Sequence, residues 1–270
     1  MRFIFIIGRG RSGTHFLRNI LNNHPDIWIA GEINYFSKPF HKGFIKTTKH
    51  LYPFDTEKKI DKLFSIDVRK NVFGHYWENK RIDFEKIKKK FLRKSRRSYK
   101  ELYRILLEEE AALKNKNIGG EKTPHNIFHL ETIIKWFPDA KFLHIIRDPR
   151  AVFVSEINRT KANPLFTFVK FIYILTEWLW LIRKHKDFAV KYPNNYKMIK
   201  YRELVTDHEN SVRNICKFLD VKFYYAMLNP PRTHSSFNET YDVVHGWKNK
   251  IPKFYNMIFT LFLNKLISEY

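Results

Sequence analysis

Three observations predict an α/β fold, a central parallel β-sheet flanked by helices. A short, unbroken apolar run, Phe3 to Ile7, leads into a glycine- and arginine-rich turn. The turn leads into a stretch whose Phe16, Leu17, Ile20 and Leu21 form one apolar stripe. An apolar run without alternation reads as a strand buried on both faces, and strand, turn, helix is the unit of a parallel sheet. A second apolar run, Ala140 to Ile146, repeats the pattern: strand, then Arg147-Asp148-Pro149-Arg150, then a helix. The third observation is size. The chain has 270 residues, 44% of them hydrophobic, which is enough for one large core and argues against disorder. The whole chain, 1–270, therefore reads as a single domain.

The first turn, Gly8-Arg9-Gly10-Arg11-Ser12-Gly13-Thr14-His15, is a phosphate cradle in type, and the arrangement is P-loop-like. Backbone N–H groups at a helix start point at an anion, and the helix dipole favours negative charge there. Gly8 and Gly13 have Walker spacing, but Thr14 stands where a Walker loop needs lysine. Gly8-x-Gly10-x-x-Gly13 also fits a dinucleotide fingerprint, with Glu32 as the ribose acid, and that reading stays open here. A turn without a ligand is the plain alternative. Two arginines, Arg9 and Arg11, at a helix N-terminus oppose the dipole and call for an anion.

His24-Pro25-Asp26 reads as a turn, Ile27 to Ala30 as a short strand. Gly31-Glu32 then sits at the carboxyl end of that strand, the edge where open α/β sheets bind ligands. Residues 37–118 lack a parallel-strand rhythm and read as a helical, basic insertion. Within them Lys80 to Lys100 holds eleven Lys/Arg against two acids, with Phe84, Ile87, Phe91 and Leu92 at amphipathic spacing. Tyr99 to Asn115 reads as a helix. Gly119-Gly120 reads as its breaker, and Lys122 as a loop residue at the start of the next helix, where Pro124 suits the first turn. That helix carries Ile127, Leu130, Ile133, Ile134 and Phe137.

After the second turn, Ser155 lies on the side of its helix that faces the helix start. Arg147 offers a fork to a phosphate. A long aromatic helix follows, about Phe166 to Lys186. Its apolar stretch from Leu165 to Ile182 is broken by Lys170 and Glu177, so a buried core helix is expected rather than a membrane span. Asn195 to Tyr201 reads as a strand and His208 to Leu219 as a helix, with Cys216 a small core residue on it. Thr233-His234-Ser235-Ser236-Phe237 is a polar loop, Gly246-Trp247-Lys248-Asn249 a further turn, and Phe254 to Ile267 a strongly apolar end.

These motifs, in this order, resemble the sulfotransferases that use 3′-phosphoadenosine 5′-phosphosulfate (PAPS). They are most similar to the tyrosylprotein, heparan sulfate and bacterial types. Gly10-Arg11-Ser12-Gly13-Thr14-His15 resembles the family's 5′-phosphosulfate loop, with Gly10 in place of a proline and His15 in place of a threonine. Glu32 resembles the proposed general base, and Lys122 of Glu-Lys-Thr-Pro the lysine that reaches the reaction centre. Arg147 and Ser155 resemble the 3′-phosphate site, Tyr201 the tyrosine near adenine, and Lys248 the segment that closes over the donor. The resemblance further implies that 37–118 shapes the acceptor side, and that a serine lies near the sulfonate, Ser236, with Ser235 as its neighbour alternative. It implies sulfonate transfer from PAPS to an acceptor hydroxyl or amine, by in-line attack with Glu32 as base, Arg11 and Lys122 stabilising the leaving charge, and no metal.

A net charge of +23 is compatible with an anionic ligand, nucleic acid or an anionic membrane. The acceptor implied is a carbohydrate, lipid-linked or small-molecule hydroxyl, with nucleic acid disfavoured and peripheral membrane contact left open. One cysteine excludes an internal disulfide, and Met1 runs straight into the first strand, so a cytoplasmic location is the expectation, with a membrane-peripheral one left open. Two rivals remain: a P-loop nucleotide kinase or nucleotidase, and a non-enzymatic basic protein that binds anions or membranes.

Overall fold

The computed structural model of the chain describes residues 1–36, 49–65, 83–160, 163–231 and 244–269. The strands are β1 (Arg2–Gly8), β2 (Ile27–Ala30), β3 (Ile118–Lys122), β4 (Lys141–Ile146) and β5 (Tyr196–Lys200). They form one sheet in the order β2-β3-β1-β4-β5. β3 pairs in parallel with both β1 and β2, and β4 in parallel with β5. Helices flank the sheet, and the fold is the expected P-loop-like α/β type. Phe3 to Ile7 are each at most 3% exposed, which is why β1 is apolar throughout instead of alternating.

The chain divides into two compact units: Met1–Ile7 with Leu21–Ala140, and Gly8–Ile20 with Lys141–Tyr270. Helix α1 (Thr14–Asn22) follows the first turn.

In the first unit, α2 (Glu57–Leu63), α3 (Phe84–Leu92) and α4 (Tyr99–Ala112) precede β3. Each starts on a side-chain cap: Thr56, Asp83 and Ser98 accept from the N–H groups three residues on. α3 buries Ile87 and Phe91. Part of its basic face is balanced inside the unit: Lys86 pairs with Glu109 at 2.8 Å, Lys90 with the same carboxylate, and Lys88 with Asp61 at 2.6 Å. The His24-Pro25-Asp26 turn is real. Buried His24 accepts the Asp26 N–H on its Nδ1 at 3.0 Å, so it shapes the turn.

β3 differs from the sequence reading. Gly119 and Gly120 do not break a helix; they lie inside a strand that is buried from Ile118 to Lys122 and paired on both sides. Its glycines have a steric reason. A Cβ at Gly120 would sit 1.9 Å from the Ile4 carbonyl oxygen, so only glycine lets the neighbouring backbones approach. After Lys122 comes a 3₁₀ turn, Pro124–His129, and then α5 (Leu130–Trp136).

In the second unit, α6 (Pro149–Thr160) follows β4, and α7 (Pro164–Lys191) leads to β5. α8 (Tyr201–Thr206), α9 (His208–Leu219) and α10 (Lys253–Glu269) complete it. Phe153 and Val154 of α6, Phe171, Ile174 and Trp178 of α7, and Phe259 and Leu263 of α10 share one core cluster with Trp247. α7 is a core helix on one face only: Phe171, Ile174 and Trp178 are buried, while Leu165, Val169, Ile172 and Leu179 are exposed. Cys216 is buried on α9, and burial pushes its thiol up to about 11, as suits a core residue.

Candidate functional site

The second unit brings together residues that the sequence reading assigns to anion binding. The turn between β1 and α1 is fixed by local bonds: the Ser12 N–H donates to the Arg9 carbonyl at 3.3 Å, and the Leu17 N–H to the Gly13 carbonyl at 3.1 Å. Arg11 adopts a left-handed φ of 69°, a strained conformation for a residue with a side chain. Two distant residues hold it there. Arg11 Nε donates to Ser155 Oγ at 2.9 Å, and Arg147 Nη1 donates to the Arg11 carbonyl at 3.1 Å. Arg147 comes from the β4–α6 turn and Ser155 from α6 itself, so the two motifs, more than 130 residues apart, meet at Arg11.

Tyr201 joins them. Ile146 and Lys200 are register partners in β4 and β5, so Arg147 and Tyr201 leave the sheet side by side. The Arg147 guanidinium lies 4.5 Å from the centre of the Tyr201 ring. That ring also packs over Gly13. A Cβ at Gly13 would be 2.3 Å from Tyr201 Cδ2, and φ there is +96°, so glycine is required twice over. Burial pulls the Arg147 pKa down and pushes the Tyr201 phenol up. A guanidinium disfavoured by burial is a group that gains from an anion.

The other predicted loop residues are placed plainly. Ser12 and Thr14 are buried, and His15 is exposed. A Cβ at Gly10 would meet nothing within 4 Å. Lys248 is an exposed residue whose N–H donates to the His245 carbonyl at 2.9 Å. Its neighbour Trp247 is buried beneath the Arg150 guanidinium at 4.3 Å, and Arg150 is itself forked to Asp148. The Arg-Asp-Pro-Arg turn thus anchors the Trp247 segment through its second arginine, a link invisible in sequence. Ser235 and Ser236 lie outside the described residues.

Arg9 departs from the expectation that both arginines call for a bound anion. It is 7% exposed, donates from Nε to Glu177 at 2.6 Å, and lies 3.5 Å from Glu156. Its charge is answered by two acids of α6 and α7. Of the two arginines, Arg11 is the one whose guanidinium is bonded to a hydroxyl.

The first unit holds the acid and the lysine. Ala30 and Glu121 are register partners in β2 and β3, so Glu32 and Lys122 emerge at the same end. Lys122 is fully buried, and its Nζ donates to Glu32 Oε1 at 2.7 Å, while the Glu32 side chain stays 36% exposed. The pair is therefore a carboxylate open to solvent, backed by a desolvated cation.

Sequence reading missed Glu121. Its carboxyl is 0% exposed and accepts four donors: the Ile33 N–H at 3.1 Å, Thr123 Oγ1 at 3.0 Å, Tyr103 Oη and Asn126 Nδ2. Ile33 follows Glu32 and Thr123 follows Lys122, so one carboxyl holds the Ile33 backbone beside the first member of the pair and the Thr123 side chain beside the second. Burial pushes its pKa up, against the pull of those hydrogen bonds. A glutamate inside a glycine-containing pentapeptide gives no sign of this without the fold.

The chain is 26% identical over 230 residues to a protein-tyrosine sulfotransferase of Drosophila melanogaster, covering 85% of this chain and 40% of that protein. It is 24% identical over 229 residues to protein-tyrosine sulfotransferase 1 of Danio rerio, covering 85% and 56%. An omega-hydroxy-beta-dihydromenaquinone-9 sulfotransferase, Stf3 of Mycobacterium bovis, is 28% identical over 107 residues, covering 36% and 27%. The chain thus spans about half or less of the length of these relatives. The sulfotransferase domain of the Synechococcus PCC 7002 olefin synthase has the same fold, with a TM-score of 0.61 at 18% identity over 94% of this chain and 89% of that one. Residues 4–224, which contain the Arg11–Ser155–Arg147 assembly and the Glu32–Lys122 pair, match the family described as "Sulfotransferase family", and the chain belongs to that family.

Proposed function

We propose that the chain transfers a sulfonate group from PAPS to a hydroxyl or amine of an acceptor. The observation that carries this reading is the convergence of Arg147 and Ser155 on Arg11, with Tyr201 against Gly13. The residues fit a nucleotide with two anionic ends. The α1 N-terminus and Arg11 would hold the 5′-phosphosulfate, Arg147 and Ser155 the 3′-phosphate, and Tyr201 offers a ring beside them. When bound, the donor supplies an electrophilic sulfur with a phosphate leaving group.

The chain's own residues then have defined tasks. Glu32 accepts the proton of the attacking group, which its exposed carboxylate can reach from solvent. Lys122 donates to Glu32 Oε1 and so fixes the carboxylate in place beside the attacking group. Arg11, Lys122 and the loop N–H groups stabilise the negative charge that grows on the departing phosphate. Ser236 positions the sulfonate, and Lys248 lies on the segment that covers the donor. For the acceptor we propose a hydroxyl carried by a lipid, a carbohydrate or a small molecule. The relatives named for a hydroxylated menaquinone and for protein tyrosine both take hydroxyl acceptors.

The test is calorimetric titration with 3′-phosphoadenosine 5′-phosphate, set against ADP and ATP without magnesium. Binding that depends on the 3′-phosphate is expected, weakened about tenfold or more by Arg147→Lys, which keeps the charge and loses the fork. Equal binding of ATP, or none of either, would overturn the proposal and favour the kinase or anion-binder reading.

A further inference from the structure

α7 has two unlike faces. Phe171, Ile174, Leu175, Trp178 and Ile182 lie in the core of the second unit. The opposite face carries Leu165, Val169, Ile172 and Leu179, at i, i+4, i+7 and i+14, with exposures of 74%, 54%, 42% and 38%. Met257 and Leu261 on α10 are likewise turned outward, 55% and 73% exposed. Soluble proteins seldom leave an apolar stripe of this length uncovered. From Leu165 to Leu179, with Thr176 in its line, the stripe runs about 21 Å along the helix.

Charge selects the occupant. The stripe ends in Arg183, Lys184 and Lys186, all exposed, with Asp187 as the acid among them. Glu177, the acid within the apolar segment, is bonded inward to Arg9. The chain carries a net charge of +23, so a second copy would be repelled and an anionic surface attracted. A helix with one apolar face, bases at its end and a half-buried Trp180 is suited to lie in the interface of an anionic bilayer. It is not suited to cross one: its other face is fixed in the core, and the Arg9–Glu177 pair would have to enter hydrocarbon.

We propose that the outer faces of α7 and α10 form a docking surface for an anionic lipid bilayer, held by the apolar stripe and by the bases at the end of α7. The proposal does not depend on sulfonate transfer, since its readout is binding. The test is cosedimentation of the full chain with vesicles of phosphatidylcholine alone and of phosphatidylcholine with one-third phosphatidylglycerol.

Binding is expected to be at least about tenfold stronger to the anionic vesicles and to weaken in high salt. Val169→Glu with Ile172→Glu should reduce it at least about tenfold with an unchanged melting temperature, and Leu261→Glu reads the same surface from α10. Arg183→Glu with Lys184→Glu should erase the preference for the anionic vesicles. No cosedimentation, or wild-type binding by both apolar-face variants, would overturn the proposal. So would a dimer in light scattering that Val169→Glu with Ile172→Glu dissociates, because the face would then belong to a second copy.

Discussion

Glu121 offers the most quantitative test of how the first unit is held. Two of its four donors, the Ile33 N–H and Asn126 Nδ2, are N–H groups with no capacity to accept; the other two, Thr123 and Tyr103, are hydroxyls that can turn. Glu121→Gln keeps the volume but turns one oxygen into a donor. Whichever way the amide lies, it faces one of the two N–H donors, and a buried N–H left without an acceptor costs about 1–3 kcal/mol. Glu121→Ala deprives both, for about 2–6 kcal/mol, partly offset because a buried carboxyl no longer has to be desolvated. Urea denaturation followed by circular dichroism, with a constant slope, measures both. The sign with pH follows from the raised pKa. The stability contributed by Glu121 is complete below its unfolded pKa and is lost as pH rises through the higher folded value. Gln does not titrate, so the gap between wild type and Glu121→Gln should narrow as pH rises. Glu121→Ala costing under about 1 kcal/mol, or a gap that widens with pH, would refute the reasoning.

Glu32→Ala is expected to abolish transfer while 3′-phosphoadenosine 5′-phosphate still binds; full activity in a sulfonate-transfer assay would remove Glu32 as the base. Gly13→Ala should lose donor binding, because its Cβ would fall 2.3 Å from the Tyr201 ring, whereas Gly10→Ala, into open space, should change stability by less than about 0.5 kcal/mol in the same titration and melt. His185, whose Nδ1 lies 2.7 Å from Tyr196 Oη, is lowered by burial from 6.5 to about 4. Its folded form is favoured neutral, so its contribution is present above 6.5 and lost as pH falls towards about 4. Thermal melts across that window should show the loss, and His185→Gln should reduce it, the remainder coming from His144, which burial also holds well below its ordinary value.

Much of the fold is local and was legible. β1, β2, β4, β5 and α9 lie where apolar runs, turns and helical spacing put them, because each buries a face that its own sequence displays. The Arg11 loop reads as a candidate anion turn from glycine, arginine and a helix start, whereas the Arg147 turn takes that reading from the resemblance together with its arginine fork. That Ser155 and Arg147 grip Arg11 was not readable, since a contact across more than 130 residues depends on which strands lie side by side. β3 was missed because Ile118-Gly119-Gly120-Glu121-Lys122 has little strand propensity; it is a strand because two neighbours supply its hydrogen bonds and leave no room for a Cβ at Gly120. The acids that answer Arg9, the four donors around Glu121 and the uncovered face of α7 have the same origin. Sequence determined which segments could be strands, helices and anion turns through local pattern. Tertiary structure decided which charges are paired, which are buried and which faces stay open, because those depend on neighbours distant along the chain.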